Sequence, residues 1–240
     1  LSEPQGDVYR LHDLIKDFSR IRAVPVLGQE PVDAARLSLA HYYLDTAQRG
    51  ADLLGPRVSE EDEDAPNRSH RSELSTRDDA EEWFSLHHEN LADAIEFFAS
   101  GDFGDQAWRM ADLVWRFYAL RGHMALLVSS HQRALQVSER QGSGRGRAVT
   151  LIGLGIAHYI SGRFGEALDL LTQAREILLE LGDSMGILRV NANLGMVYER
   201  VGRFGESAEA IEEALEHAAA VGNSGIESLQ WGNLAVLRQS

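Results

Sequence analysis

Nine histidines and a set of arginines are the side chains of this 240-residue chain best suited to chemistry. His87-His88-Glu89 places three metal-ligating types in a row. Neighbouring residues on a helix, however, point about 100° apart, so adjacent side chains cannot close on one ion. His-Glu-x-x-His is absent, and no two histidines stand four apart. Structural or surface roles are therefore expected for the histidines, with no metal site. Gly153-Leu154-Gly155 lies inside an apolar helical pattern, not in a phosphate-binding turn. Gly142-Ser143-Gly144-Arg145-Gly146 is expected to be a flexible link between two helices. No catalytic residue is assigned, and the chain is read as a non-enzyme. The arginines have another use: their planar forks suit a carboxylate or phosphate, or else make a solvated face.

The elements that must position these groups come from an internal repeat. Gly162-Arg163-Phe164-Gly165-Glu166 recurs as Gly202-Arg203-Phe204-Gly205-Glu206, 202 − 162 = 40 residues on. The same offset relates Ala174 to Ala214, Gly182 to Gly222, and Leu154 to Leu194 and Leu234. Each unit reads as two helices. In the second, Phe164, Ala167, Leu168, Leu171, Ala174, Ile177 and Leu178 recur at steps of three and four, which makes one apolar stripe. Phe204, Ser207, Ala208, Ile211, Ala214 and Leu215 repeat it. Gly182 and Gly222 suit the left-handed residue that ends a helix. Asp183-Ser184 and Asn223-Ser224 then offer capping groups to the next.

At these residues the chain resembles the tetratricopeptide repeat family. Trp231-Gly232-Asn233-Leu234-Ala235, and Leu194-Gly195 with Tyr198, follow the first-helix signature. Ala167, Leu171 and Ala174 follow the second, with leucine for the aromatic. The closing proline is replaced by Leu179 and Ala219, and the period is 40 instead of about 34. Both departures resemble the longer-helix variant found in scaffolds and sensors such as kinesin light chains. The resemblance implies an all-α helical solenoid whose first helices line a concave groove. Candidate groove residues are Arg109, Asp112 and Arg116, then Ile152, Ile156 and Tyr159. Arg189, Asn193 and Met196 follow, and then Leu229 and Asn233. Related repeats use asparagine at the position of Asn193 and Asn233 to bond a peptide backbone. The alternative is that each amide bonds only the adjacent helix. Clear repeats are expected over 146–240, the last truncated, with a divergent pair over 103–145 in a repeat region of 101–240.

Ahead of the repeats, residues 7–22 are expected to form an amphipathic helix with Leu11, Leu14, Ile15 and Phe18 on one face. A second helix is expected over 31–54, with Pro31 as its first residue. A mobile acidic linker is expected over 56–75, and a third helix over 77–99. Tyr9-Arg10-Leu11-His12-Asp13-Leu14 resembles the Met-His-Asp signature that closes the winged-helix module of STAND signalling ATPases, with leucine for methionine. The order of His41-Tyr42-Tyr43-Leu44, the acidic linker, Trp83-Phe84, Glu89-Asn90-Leu91, Trp108-Arg109, Arg121-Gly122-His123 and the repeats is similar to bacterial regulators of the antibiotic-regulatory type. That likeness divides the chain into a winged-helix remnant (1–24), a helical arm (25–100) and the repeats. It implies that His12 contacts the phosphate of ADP in the full-length protein; an ordinary helix-start hydrogen bond is the other reading. With no phosphate-binding loop, and Lys16 its only lysine, this chain is expected to hold no nucleotide itself. ATP or ADP belongs to the full-length protein.

The totals narrow the partners. A formal charge of −14 opposes binding to a phosphate backbone. No apolar run reaches the roughly 20 residues of a membrane span. The chain has no cysteine, which agrees with a cytoplasmic location, and it opens on Leu1 like an excised fragment. The expected function is a sensor of a protein or peptide, or of a small-molecule inducer, that controls a STAND-type transcriptional regulator. Homo-oligomer formation on activation belongs to that reading. The alternative is a free-standing scaffold.

Overall fold

The computed structural model describes residues 2–5, 8–10, 22–54, 74–101 and 103–220. Two strands, β1 (Ser2–Gln5) and β2 (Val8–Arg10), pair antiparallel, with Ser2 opposite Arg10 and Gln5 opposite Val8. After a helical stretch over 22–27, eight longer helices follow among the described residues. They are α1 (Gln29–Leu54), α2 (Arg77–Ser100), α3 (Gly104–Leu120) and α4 (Met124–Gln141), then α5 (Gly144–Ile160), α6 (Phe164–Leu181), α7 (Ser184–Arg200) and α8 (Phe204–Ala220). Contacts divide the chain into Leu1–Tyr42 and Tyr43–Ser240.

In the first unit the hairpin corrects the helix expected from residue 7. Val8 and Tyr9 favour extended backbone, and the Gly6-Asp7 dipeptide between the strands has the composition of a tight hairpin turn. The expected apolar face at Leu11, Leu14, Ile15 and Phe18 lies outside the described residues, as does His12. Residues 22–27 are helical. α1 begins two residues ahead of the expected start, so Pro31 sits inside its first turn, where a missing N–H costs no helical hydrogen bond.

The second unit is an all-helical solenoid. From residue 104 every helix begins twenty residues after the last, at 104, 124, 144, 164, 184 and 204. Gly122, Gly142, Gly162, Gly182 and Gly202 hold positive φ between 67° and 77° at the same spacing. Each ends a helix in the left-handed region that a side chain would strain. Gly142–Gly146 is therefore not a flexible link. Gly142 closes α4, Ser143 caps α5 by accepting from the Gly146 amide, and Gly144 onward is helix. Asp183 caps α7 in the same way, accepting from Gly186 N at 2.8 Å.

The core is built from stripes. On α6, Ala167, Leu171, Ala174 and Leu178 are all buried. Gly155 and Gly195 let first and second helices approach: a Cβ at Gly155 would lie 2.8 Å from Leu171, and one at Gly195 2.8 Å from Ile211. These contacts are themselves one repeat apart. Phe204 departs from its stripe and stands half exposed. Its counterpart Phe164 leans on Tyr159 at 5.9 Å, but the residue forty after Tyr159 is Glu199.

Ahead of the repeats, α2 begins on a capping box. Thr76 Oγ1 accepts from Asp79 N, and the Asp79 carboxylate accepts from Thr76 N at 2.8 Å. Those bonds, with the Ser75 amide foremost, hold the Asp79 carboxyl down at about 2. Trp83, Phe84, Leu91, Ile95 and Phe98 form its buried face, as the spacing predicts. Tyr118 on α3 is fully buried and donates to His88 O at 2.8 Å, and Arg140 on α4 donates to Ala99 O at 2.7 Å. Both bonds tie the divergent pair α3–α4 to α2. No helix among the described residues is long and apolar enough to cross a membrane.

Candidate functional site

The first helices of the units, α3, α5 and α7, pack successively on one another. A layer whose neighbouring helices touch in series follows the shorter radius of a curved stack, so these helices line its concave side. In that layer lies an open pocket of about 190 Å³. Trp115 of α3 forms one side, with Gly155, Ile156, Tyr159 and Ile160 of α5 below. Leu171 of α6, and Asn193, Met196 and Val197 of α7, complete it. Its volume is of the order of the roughly 150 Å³ enclosed cavity that holds one benzene.

Tyr159, Asn193 and Met196, expected in the groove from different units, meet at this pocket together with Ile156. Met196 and Ile160 remain 41% and 47% exposed, an apolar rim open to solvent. Asn193 donates through Nδ2 to Arg189 O, one turn back on its own helix, at 2.7 Å, which fixes the orientation of its carboxamide. Arg116 lies over the Trp115 ring at 5.9 Å, so a cation borders the pocket wall. Arg109 lies 5.5 Å over Trp108.

Other expected residues sit elsewhere. Ile152 is 1% exposed and belongs to the core between α5 and its neighbours, so it does not line the groove. Arg189 and Asp112 satisfy each other, Nη2 to Oδ1 at 2.5 Å, each side chain only 13% exposed. His12, Leu229 and Asn233 lie outside the described residues. Sequence reasoning did not name Trp115, Ile160 and Val197 as groove residues. Ile160 could have been found from Leu120, forty residues earlier and also exposed at the end of a first helix.

The remaining chemical candidates resolve into packing. His87 lies against Trp83 and Tyr43, at 5.2 and 5.6 Å, while His88 stacks on His123 at 4.4 Å. The two neighbours diverge as helical geometry demands. No group of three metal-ligating side chains converges among the described residues. Burial holds the His87 and His123 pKa values below the ordinary range, and a second imidazole beside His123 adds to the effect. No nucleophile elbow is expected from the sequence, yet Gly182-Asp183-Ser184-Met185-Gly186 has its Gly-x-Ser-x-Gly spelling. Such an elbow needs a preceding strand. Here α6 precedes it, and Ser184 is simply the first residue of α7 behind its Asp183 cap.

Residues 116–180 match a family model described as tetratricopeptide repeat, which spans the end of α3 and all of α4, α5 and most of α6. No curated protein matches the chain. With the helical stack, that match makes 116–180 a tetratricopeptide-type region, and repeats of this type form protein-interaction modules.

Proposed function

We propose that the chain is the partner-sensing region of a STAND-type transcriptional regulator, and that the sensed partner is a protein segment with an exposed apolar side chain. The observation that supports partner binding most directly is the pocket. Side chains from three successive first helices converge on an apolar hollow beside one oriented amide. An apolar side chain fills the hollow while Asn193 accepts a backbone N–H from the same segment. That division of labour, apolar anchor plus one polar fixer, is what small recognition pockets use. The regulator context is supported by the Leu-His-Asp resemblance and the order of features that follow it. Nucleotide is held by the full-length protein, and small-molecule inducers compete for the same pocket.

The test is selection of a displayed random peptide library on this chain, followed by titration of the winners against variants. Met196→Glu places a charge on the apolar rim and should weaken the selected peptides at least tenfold. Asn193→Ala removes about one net hydrogen bond, roughly a fivefold loss. Peptides that bind Met196→Glu as tightly as wild type would falsify the groove as the site. In the full-length protein, the selected peptide should weaken ADP binding. A chain whose parent binds no nucleotide is a scaffold instead.

A further inference from the structure

Arg189 and Asp112 are 77 residues apart, on α7 and α3, with α5 between them in the stack. In a solenoid each repeat touches its neighbours, so a direct bond that skips a unit is unusual. We infer that this ion pair is a strap across the concave face that holds α3 and α7 at their present separation and thereby sets the width of the apolar pocket.

The placement supports it. On α7, Arg189 is followed by Asn193 and Met196 at i+4 and i+7, one helical face, and both of these line the pocket. On α3, Asp112 is followed by Trp115 at i+3, which also lines the pocket. Each end of the strap therefore lies one turn from the wall it restrains. The bond is 2.5 Å and both side chains are 13% exposed, so solvent and salt screen it far less than a surface pair. Arg189 is also tied into its own helix wall, because its carbonyl accepts from Asn193. The strap stands on geometry alone; its use, fixing the width of the pocket that a partner enters, rests on the function proposed above.

The chain has no cysteine, so spin labels can be placed cleanly at Leu120→Cys and Glu199→Cys, exposed positions near the ends of α3 and α7. In Arg189→Gln and in Asp112→Asn the label-to-label distance should shift to longer values and broaden, with helix content unchanged. The double variant should open no further than either single one, because both act through one contact. Arg189→Lys, which keeps the charge but loses the fork, covers the case in which Arg189→Gln does not fold; its distribution should also broaden. Distances that superpose on wild type in every folded single variant overturn the strap, as does a double variant that opens by the sum of the two. Met196→Glu damages the pocket without touching the pair and should leave the distance unchanged. Loss of peptide binding in that variant therefore reports on the function, and the distances report on the strap.

Discussion

The imidazole of His131 occupies the space in which a side chain at Gly153 would begin: a Cβ there would lie within 2.1 Å of ring atoms Cδ2 and Nε2. The glycine of α5 and the histidine of α4 are thus one packing unit, and any side chain at 153 requires the ring to move.

Gly153→Ala should destabilise the fold by about 1–3 kcal/mol, the cost of overpacking a filled interior. Urea unfolding measures it. Adding His131→Ala should recover part of the loss, so the two changes are not additive. Additive losses would mean that the ring and the glycine do not share a site.

Acid should act through the same histidine. Its Nδ1–H donates to Leu127 O at 2.9 Å, while burial holds the pKa down to about 4 from the ordinary 6.5. The unfolded chain therefore binds a proton that the folded chain refuses between those values. Stability from this group is complete above about 6.5 and is lost as pH falls toward 4. The slope is about 1.4 kcal/mol per pH unit, roughly 3 kcal/mol in all. His131→Leu should flatten the unfolding profile over that window relative to wild type. Parallel profiles would refute the assignment.

Arg175 ties three helices together. It donates through Nε to Asn191 on α7 at 2.9 Å, and through Nη2 to both carboxylate oxygens of Glu213 on α8, at 2.7 and 2.6 Å. Arg175→Met keeps the aliphatic stem but strips the donor from Asn191, which is fully buried. The expected cost is about 1–3 kcal/mol, mostly from the stranded amide. The ion pair itself is a third exposed, so Glu213→Gln should cost less. Thermal melts of the two variants test the order.

From α4 to α7, helix capping alternates between the two layers. Ser143 and Asp183 cap α5 and α7, whereas α4 and α6 begin after His123 and Arg163 without a side-chain cap bond. Asp183→Ala should cost about 1 kcal/mol. It should also raise amide exchange in the first turn of α7. Arg163→Ala should leave α6 unchanged by the same measurement.

Much of the stack was legible because it is periodic. Ala167, Leu171 and Ala174 defined a face, Gly182 a helix end and Asp183 a cap, each from local rules. Tyr159, Asn193 and Met196 were placed on the groove because a repeat turns equivalent positions to one side. What was not legible depends on curvature. Arg189 and Asp112 were both assigned to the groove, yet no periodicity says that charges 77 residues apart will meet across an intervening helix. Ile152 shares a helix face with Ile156 and Tyr159, and periodicity does not say which turn of that face its neighbours cover. Val8-Tyr9 was read as helix because the apolar spacing after it dominated the window, and the pairing of strands is not a local property. Gly142–Gly146 was read by composition, when the position of Gly142 twenty residues before Gly162 already marked it as a helix end.

That twenty-residue spacing has an evolutionary consequence. Every helix from α3 to α8 starts at the same phase, and each turn from Gly122 to Gly202 has the same hand. Recombination between any two equivalent points, forty residues apart, returns a chain with its turns and close glycine contacts in register. Such an array grows or shrinks by whole units, as slipped duplication of the underlying gene produces them, and each added unit lengthens the concave face without redesigning the joints.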